Sequence, residues 1–507
     1  MKREAVSKGR VQYVKKNMIW SAISTICSTC FPFILRTLFV RYLGSECLGL
    51  NSLCTSILYV LNAAEFGVSN AFVFRLYEPV AKGEDAKVCR LLHFYRSVYQ
   101  KIGIIILGAG ILLLPFLDKL IKNEYPVGIN IYFVFLIYLL NTVVSYIFWA
   151  YPELVLIASQ RRSYVDIIGC LTLSTMYLVQ IFFVVKKEYY GYLLIMPVMT
   201  ILANAVKYVI LRKKYPEYDC ERGIDEGDKK NFFGDVFSVA VYKVRDISRN
   251  SFDSVFISAF VGLGALSNYQ NYYTVLIVPI ILRQTLVTAL SPSMGNCIAL
   301  DDRDKALQAY KVFAFVYAYV SGWFAMIYGN LIRDFVALWL GGEFILDNAF
   351  TGLFAAYLYV LGFSDQTKMI REAAGLWKRG HMFVGVEIVL NILLNAVLVW
   401  QFEAKGVLLA TIITIVFVNI PFENYIIFHD FFQKGVREIL LIYGKAFLWF
   451  LGVGGLCTFI CSSVSFGGIE GFLLKAMICA AVPAVTFVLF NFRAEELRIL
   501  LKELRRT

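Results

Sequence analysis

Long apolar runs alternate with short polar segments from residue 17 to residue 491 of the chain. A helix needs roughly 20 mostly apolar residues to cross the hydrocarbon core of a bilayer. The runs therefore predict an all-α fold, a polytopic membrane protein with about 14 transmembrane helices. We place these spans at 17–40, 48–74, 98–117, 130–157, 164–185, 189–211, 235–260, 264–290, 309–332, 349–370, 382–401, 406–428, 440–462 and 470–491.

The largest polar gap separates the sixth span from the seventh. It predicts two lobes of six helices each around a central cavity, because secondary transporters are commonly built from duplicated lobes. The predicted parts are a cytoplasmic N-terminal tail (1–16), an N-lobe (17–211), a cytoplasmic linker (212–234), a C-lobe (235–428), spans 13 and 14 (429–491) and a cytoplasmic C-terminal tail (492–507).

Composition and charge support a membrane protein. Hydrophobic residues make up 59% of the 507 residues and charged residues 17%, against roughly 45–50% and 25% in soluble proteins. These values exclude a large soluble catalytic domain, intrinsic disorder and a secreted fold. The net charge is +12, yet only seven of the 49 basic residues fall in the predicted outer loops. Since cytoplasmic loops carry the excess of Lys and Arg, both termini are predicted to be cytoplasmic and no nucleic-acid partner is expected.

Span seven carries charges at a depth where charge is costly: Lys243, Arg245, Asp246, Arg249 and Asp253. The last four fall within an arc of about 100° on a helix. Each charge costs at least ~2.5–3.5 kcal/mol at the bilayer centre, so these side chains are not expected to face lipid. Arg249 can pair with the two aspartates, but the stripe as a whole is net cationic. It predicts a substrate-facing surface suited to phosphate, which arginine binds through paired hydrogen bonds. Asp246 and Asp253 are also candidates for ion coupling.

Other charges within spans are sparser. Arg36 in span one and Arg283 in span eight are predicted to join the cationic substrate-binding set, although Arg36 could instead extend towards the outer surface. Glu65 in span two is a further ion-coupling candidate, and the alternative is hydrogen bonding between helices. Asp365 and Lys368, at i and i+3 in span ten, are expected to pair with each other.

Motifs for cofactors, metals and covalent chemistry are missing from the sequence. No G-x-x-x-x-G-K-[ST] phosphate loop occurs. Most of the eleven cysteines lie in apolar runs, and the three histidines are far apart. We therefore predict no cofactor, no metal site and no catalytic residue, and a transporter rather than an enzyme.

Several motifs occur in a familiar order: Leu48-Gly-Leu-Asn51, Leu61-Asn-Ala-Ala-Glu-Phe-Gly67, Phe74-Arg-Leu-Tyr-Glu-Pro-Val80, Arg371-Glu-Ala-Ala-Gly-Leu-Trp377 and Lys405-Gly-Val-Leu-Leu-Ala-Thr411. In this order they resemble the polysaccharide-unit flippases of the multidrug/oligosaccharidyl-lipid/polysaccharide exporter superfamily. Glu423-Asn-Tyr425 stands where that family often has Glu-Pro-Tyr, so the proline is missing here. The resemblance covers most of residues 30–430.

The resemblance implies alternating access in a bacterial plasma membrane. It also implies a polyprenyl-diphosphate-linked oligosaccharide as substrate, with membrane lipid and the polysaccharide polymerase and export machinery as partners. Spans 13 and 14 are similar to the extra pair of peptidoglycan-precursor flippases. Two other functions stay open at this point: a multidrug or cation antiporter of the same superfamily, and a polytopic polysaccharide polymerase or ligase.

Overall fold

The computed structural model describes residues 2–65, 68–122, 126–218, 226–299, 303–374, 376, 380–464 and 466–504. Every regular element in these ranges is a helix, which confirms the predicted all-α class. A membrane span in hydrocarbon must satisfy its backbone hydrogen bonds internally, and the α-helix does so within one segment.

The first of two compact units is Met1–Gly264. Its helices are α1 (Lys2–Leu43), α2 (Ser45–Leu61), α3 (Val68–Lys82), α4 (Asp85–Leu113), α5 (Ile131–Ile147), α6 (Pro152–Ala158), α7 (Arg162–Val185), α8 (Tyr189–Lys214) and α9 (Glu226–Phe260). Three short 3₁₀ segments occur at Asn62–Glu65, Leu114–Leu120 and Pro216–Tyr218.

The second unit is Ala265–Thr507. Its helices are α10 (Leu263–Ala299), α11 (Arg303–Trp339), α12 (Asn348–Ala373), α13 (His381–Phe402), α14 (Ala404–Thr414), α15 (Ile420–Tyr425), α16 (Arg437–Ser462), α17 (Gly468–Asn491) and α18 (Glu495–Leu504). A 3₁₀ segment lies at Gly342–Phe344, and two π-helical segments lie at Ile415–Asn419 and Ile426–Phe432.

Three predicted spans are interrupted helices. The span at 48–74 changes to a 3₁₀ helix at Asn62–Glu65, between α2 and α3. The span at 130–157 bends by 53° between α5 and α6. The span at 406–428 contains the first π-helical segment and runs into the second. Breaks of these kinds release backbone groups, and in membrane proteins they are tolerated where protein or water covers them.

The predicted number of spans is not confirmed. Within the described ranges, nine helices are long and apolar enough to cross a membrane, or ten if the bent pair α5 and α6 forms one span. The helix α2 is apolar but has only 17 residues, and α9 carries the charge cluster of span seven. The division into six, six and two spans stays a prediction, and part of its linker, residues 219–225, lies outside the described residues.

The two C-terminal apolar helices, α16 and α17, pack against α11. Trp449 of α16 and Phe487 of α17 meet Tyr319 of α11, each with ring centroids 5.0 Å from the Tyr319 ring. Trp323 Nε1 of α11 donates to the Cys479 carbonyl oxygen of α17 over 2.9 Å. Most of the large apolar side chains of α17 are nevertheless exposed, so this helix turns most of its surface away from the protein.

Candidate functional site

The charges predicted on span seven lie on α9, which packs against α2, α3 and the 3₁₀ segment after α2. Arg245, Arg249 and Asp253 are all at most 4% exposed, while Lys243 and Asp246 are half-buried. Arg245 binds the Asp246 carboxylate, with Nε 3.3 Å and Nη2 3.2 Å from Oδ1. The structure thus places three of the five charges inside the helix packing of the first unit.

Glu65 ends the 3₁₀ segment and bonds to the two helices that follow. Ser69 Oγ of α3 donates to Glu65 Oε1 over 2.6 Å, and the Tyr99 hydroxyl of α4 donates to the same oxygen. The Tyr146 hydroxyl of α5 lies within hydrogen-bonding range of this carboxylate. The hydrogen bonding between helices considered from the sequence is therefore present. Hydroxyl groups can donate to a carboxylate or accept from its protonated form, so this site suits either state.

Two of the predicted ion-coupling residues act on the same tyrosine of α2. Glu65 and Asp246 are both close enough to the Tyr59 hydroxyl of α2 for their charges to act on it. The chain just after α9 approaches α2 closely at Gly49. A Cβ atom added to Gly49 of α2 would lie 2.1 Å from the Leu263 carbonyl oxygen, just beyond α9, so only glycine fits there.

Arg283 is fully buried in the second unit. Its Nη1 donates to the Leu358 carbonyl oxygen over 2.6 Å, and its Nη2 lies 3.0 Å from Asp365 Oδ2. The Tyr317 hydroxyl donates to the same Asp365 oxygen over 3.2 Å. Asp365 was expected to pair with Lys368 on its own helix. The structure gives Asp365 a partner on α10, because the buried charge of Arg283 requires a counter-charge. The expected pairing with Lys368 stays a prediction.

A second buried ion pair was not predicted from the sequence. Arg371 of α12 binds Glu423 of α15, and the two side chains are 0% and 7% exposed. Both residues occur in the motifs that carry the family resemblance, but the sequence pattern treats them separately. The sequence offered one signal for this pair: Arg371 and Glu423 are single charges of opposite sign in or beside two different apolar runs.

A polar seam joins α13 to the broken helix that follows it. Its members are buried polar residues with apolar neighbours along the chain: Glu387, Asn391, Asn395, Thr411, Thr414 and Asn419. Asn391 Nδ2 donates to Thr411 Oγ1 over 3.2 Å, and Asn419 Nδ2 donates to Glu387 Oε2 over 3.1 Å. The first π-helical segment contains Asn419, and such segments often mark functional positions in helices.

Arg36, the remaining predicted site residue, lies on α1. It is half-buried, near the Tyr192 hydroxyl of α8. Among the described residues, no group of three His, Cys, Asp or Glu side chains is placed to hold a metal ion. Within the first unit the predicted site residues lie on α9, at Glu65 and on α1. In the second unit Arg283 of α10 is paired with Asp365 of α12.

A family model described as "Polysaccharide biosynthesis protein" matches residues 14–297, which is more than half of the chain. No curated protein matches the sequence.

Several solved structures share the fold. A lipid II flippase MurJ in an inward closed conformation is 18% identical with a TM-score of 0.67, and the match covers 94% of this chain and 99% of that one. An inward-facing multidrug resistance MATE family transporter of the MOP superfamily is 11% identical with a TM-score of 0.62, covering 86% and 98%. A Vibrio cholerae MATE transporter is 12% identical with a TM-score of 0.55, covering 87% and 98%. At these identities the likeness establishes a transporter fold.

Proposed function

Because this chain belongs to the polysaccharide biosynthesis protein family, we propose that it is a flippase for polyprenyl-diphosphate-linked oligosaccharide repeat units. It moves them from the inner to the outer leaflet of a bacterial plasma membrane. The product serves surface polysaccharide synthesis, as capsule, O-antigen or exopolysaccharide.

The observation that carries this proposal is the family match together with a flippase fold along nearly the whole chain. The MurJ structure that the chain matches over 94% of its length is a lipid II flippase. Lipid II is itself a glycan on a lipid carrier, so the same fold already handles a substrate of this chemical kind. A multidrug transporter shares the fold as well, and the experiment below distinguishes the two functions.

The α9 charges support an anionic substrate. Arg245 and Arg249 are permanently charged and buried, which costs free energy unless the charge is used or paired. A diphosphate offers oxygens that match the guanidinium group in pairs. We assign Lys243, Arg245 and Arg249 to contact with the diphosphate or an acidic sugar, with Arg36 and Arg283 as further cationic residues of the transport path.

The hydrated head group cannot cross hydrocarbon unaided, so the chain must alternate between two conformations that open to opposite sides. A downhill flow of protons or sodium ions would drive this cycle. Glu65 is our first candidate for the coupling residue, since three hydroxyl groups surround its carboxylate, and Asp246 and Asp253 are the others. The distribution of basic residues supports a cytoplasmic position for both termini.

A flipping assay tests the function directly. Purified protein is reconstituted in sealed liposomes whose inner leaflet holds a fluorescent polyprenyl-diphosphate oligosaccharide, and label reaching an outside glycosidase is followed. Protein-dependent transfer of intact lipid-linked glycan is the expected result, and an imposed proton or sodium gradient should change its rate. Protein-free liposomes are the control.

Three other results would contradict the proposal. Longer glycan chains without transfer would indicate a polymerase. Efflux of a cationic dye without glycan transfer would indicate a multidrug antiporter. Absence of both, with protein that is folded by thermal unfolding, would reject transport of this class of substrate.

A further inference from the structure

A cavity of about 300 Å³ lies within the first unit, between α4 and the bend that joins α5 to α6. Six of its lining residues are aromatic: Tyr95, Tyr99, Tyr146, Phe148, Trp149 and Tyr151. Arg96 and Gln100 of α4 add a charge and an amide to the same wall. A cavity with a mainly aromatic lining and a few polar groups has the make-up of a small-ligand site.

Trp149 has an unusual backbone conformation for so large a residue. Its φ angle is +49°, in the left-handed region, and its side chain is 37% exposed. Such a conformation costs of order 1–3 kcal/mol and persists only where the surroundings enforce it. Tyr208 of α8 stacks against the Trp149 ring at 5.5 Å and 24°. The bend between α5 and α6 therefore holds a tryptophan ring at the edge of the cavity.

Two residues that line the cavity, Tyr99 and Tyr146, also contact Glu65. The hydroxyl groups of Tyr99 and Tyr146 both point to that carboxylate, while their rings line the cavity. The two rings lie 5.4 Å apart, and Tyr95 lies 4.0 Å from Tyr99. A molecule in the cavity would therefore contact the same tyrosine rings that hold the candidate coupling residue.

The cavity lies towards the basic end of the first unit. α4 begins ten residues before Tyr95, and α5 ends at Ile147 beside the cavity. Lys207 of α8 binds Glu153 of α6 over 2.6 Å, close to the same bend. By the distribution of basic residues this end faces the cytoplasm, which is the side from which a newly made lipid-linked glycan arrives.

Interfacial aromatic residues are common in membrane proteins and need no ligand. Here, however, the rings enclose a space together with Arg96 and Gln100. Sugar rings combine hydroxyl groups with C–H faces that carry partial positive charge. The faces of aromatic rings are negative, so the two surfaces are complementary.

We propose that this aromatic cavity is a glycan subsite, in which one sugar ring stacks against Trp149 and hydrogen-bonds to Gln100 and Arg96. The inference rests on the proposed function and names the part of the substrate that the first unit binds. Arginine at the rim also allows the sugar to be acidic.

Cysteine protection by the native substrate tests the subsite without knowledge of the sugar. Ala150→Cys lines the cavity and leaves Trp149, Gln100 and Arg96 in place. His93→Cys lies on α4, is exposed and lies outside the cavity. Inverted membrane vesicles of the native host are treated with a membrane-impermeant maleimide, and labelling at each position is quantified by mass spectrometry of its peptide. Hosts with the complete glycan pathway are compared with hosts lacking the transferase that adds the first sugar.

We expect the glycan pool to slow labelling of the cysteine at position 150 several-fold and to leave position 93 unchanged. Adding Trp149→Ala should remove the protection at normal membrane abundance, whereas Trp149→Phe should keep most of it. Equal labelling with and without the pool, in vesicles where the wild-type chain flips the lipid-linked glycan, would overturn the subsite and leave the flippase intact.

Two further arms test for phosphate binding and for general closure of this end of the unit. Protection by inorganic pyrophosphate alone would identify a phosphate site rather than a sugar site and would overturn the proposal. Slower labelling at both positions would indicate general closure and would also overturn it. If the wild-type chain flips no glycan, the proposed function and this inference fail together.

Discussion

Arg283 of α10 binds Asp365 of α12 across the second unit, with Nη2 and Oδ2 3.0 Å apart. The arginine side chain is fully buried and the aspartate side chain 16% exposed. Eighty-two positions separate the two residues in sequence, so the pair fixes the packing of two helices that are distant along the chain.

Removing the carboxylate from this pair should destabilise the protein. Asp365→Asn leaves the Arg283 charge buried without its counter-ion, which costs about 3–5 kcal/mol. Thermal unfolding of purified protein should show a lower midpoint, and the double variant Arg283→Met/Asp365→Leu should recover much of the loss. Glu78→Gln, which removes an exposed ion pair with Lys82, is the control and should change little. An unchanged midpoint for Asp365→Asn would show that the pair contributes nothing.

The α9 arginines should be needed for transport. Arg245→Ala or Arg249→Ala should abolish glycan export while the protein remains in the membrane, because the diphosphate loses its cationic partners. The lysine variants keep the charge but lose the paired hydrogen bonds, so they should retain part of the activity. Arg162→Ala, a 60% exposed side chain of the same unit, is the matched control. Wild-type export from both alanine variants would remove α9 from the mechanism.

Glu65 should govern gradient dependence rather than folding. Glu65→Gln keeps an oxygen that accepts from Tyr99 and Ser69 but cannot exchange a proton or carry a negative charge. In proteoliposomes its transport rate should respond less to an imposed ion gradient than the wild-type rate does. Glu153→Gln, which removes a carboxylate bound to Lys207, should leave the response intact. A full response in Glu65→Gln would exclude Glu65 as the coupling residue.

Adding a single methyl group at Gly49 should lower the stability of the protein. Gly49→Ala places a Cβ atom 2.1 Å from the Leu263 carbonyl oxygen, so the backbone of α2 must separate from the backbone at Leu263. We expect a loss of about 1–3 kcal/mol, as for other overpacked positions. Gly108→Ala in α4 is the control, because its Cβ atom would meet nothing within 4 Å. Equal thermal midpoints for the two variants would contradict the close approach.

Much of the fold follows from the apolar runs, since a helix that crosses hydrocarbon needs length and little charge. Each predicted span coincides with a helix or an interrupted helix of the described residues. The interruptions were not predicted. No proline marks the change from α2 to the 3₁₀ segment, which ends at Glu65, whose side chain accepts hydrogen bonds from α3 and α4.

Only part of the candidate site could be predicted, because the sequence shows periodicity within a helix but not contacts between helices. A stripe on one helix can be derived from helical periodicity, so the α9 charges could be grouped from the sequence. Partners on other helices could not be assigned: Arg283 with Asp365, Arg371 with Glu423, and Tyr99 with Glu65. The spacing of Asp365 and Lys368 predicts a local pair. Spacing on one helix could not show that Asp365 also binds the buried Arg283 of α10.

Because much of the surface of α17 is exposed, the thickness of the surrounding lipid should affect how firmly this helix is held. Ile469, Met477 and Leu489, along its length, are each more than 60% exposed. Lys475 binds Asp334 of α11 over 2.7 Å and is a polar attachment of α17 to the protein. Solvation by acyl chains therefore takes the place of side-chain packing for much of this helix. Short-chain detergents should loosen it first, whereas bilayers matched to its 24 residues should hold it in register.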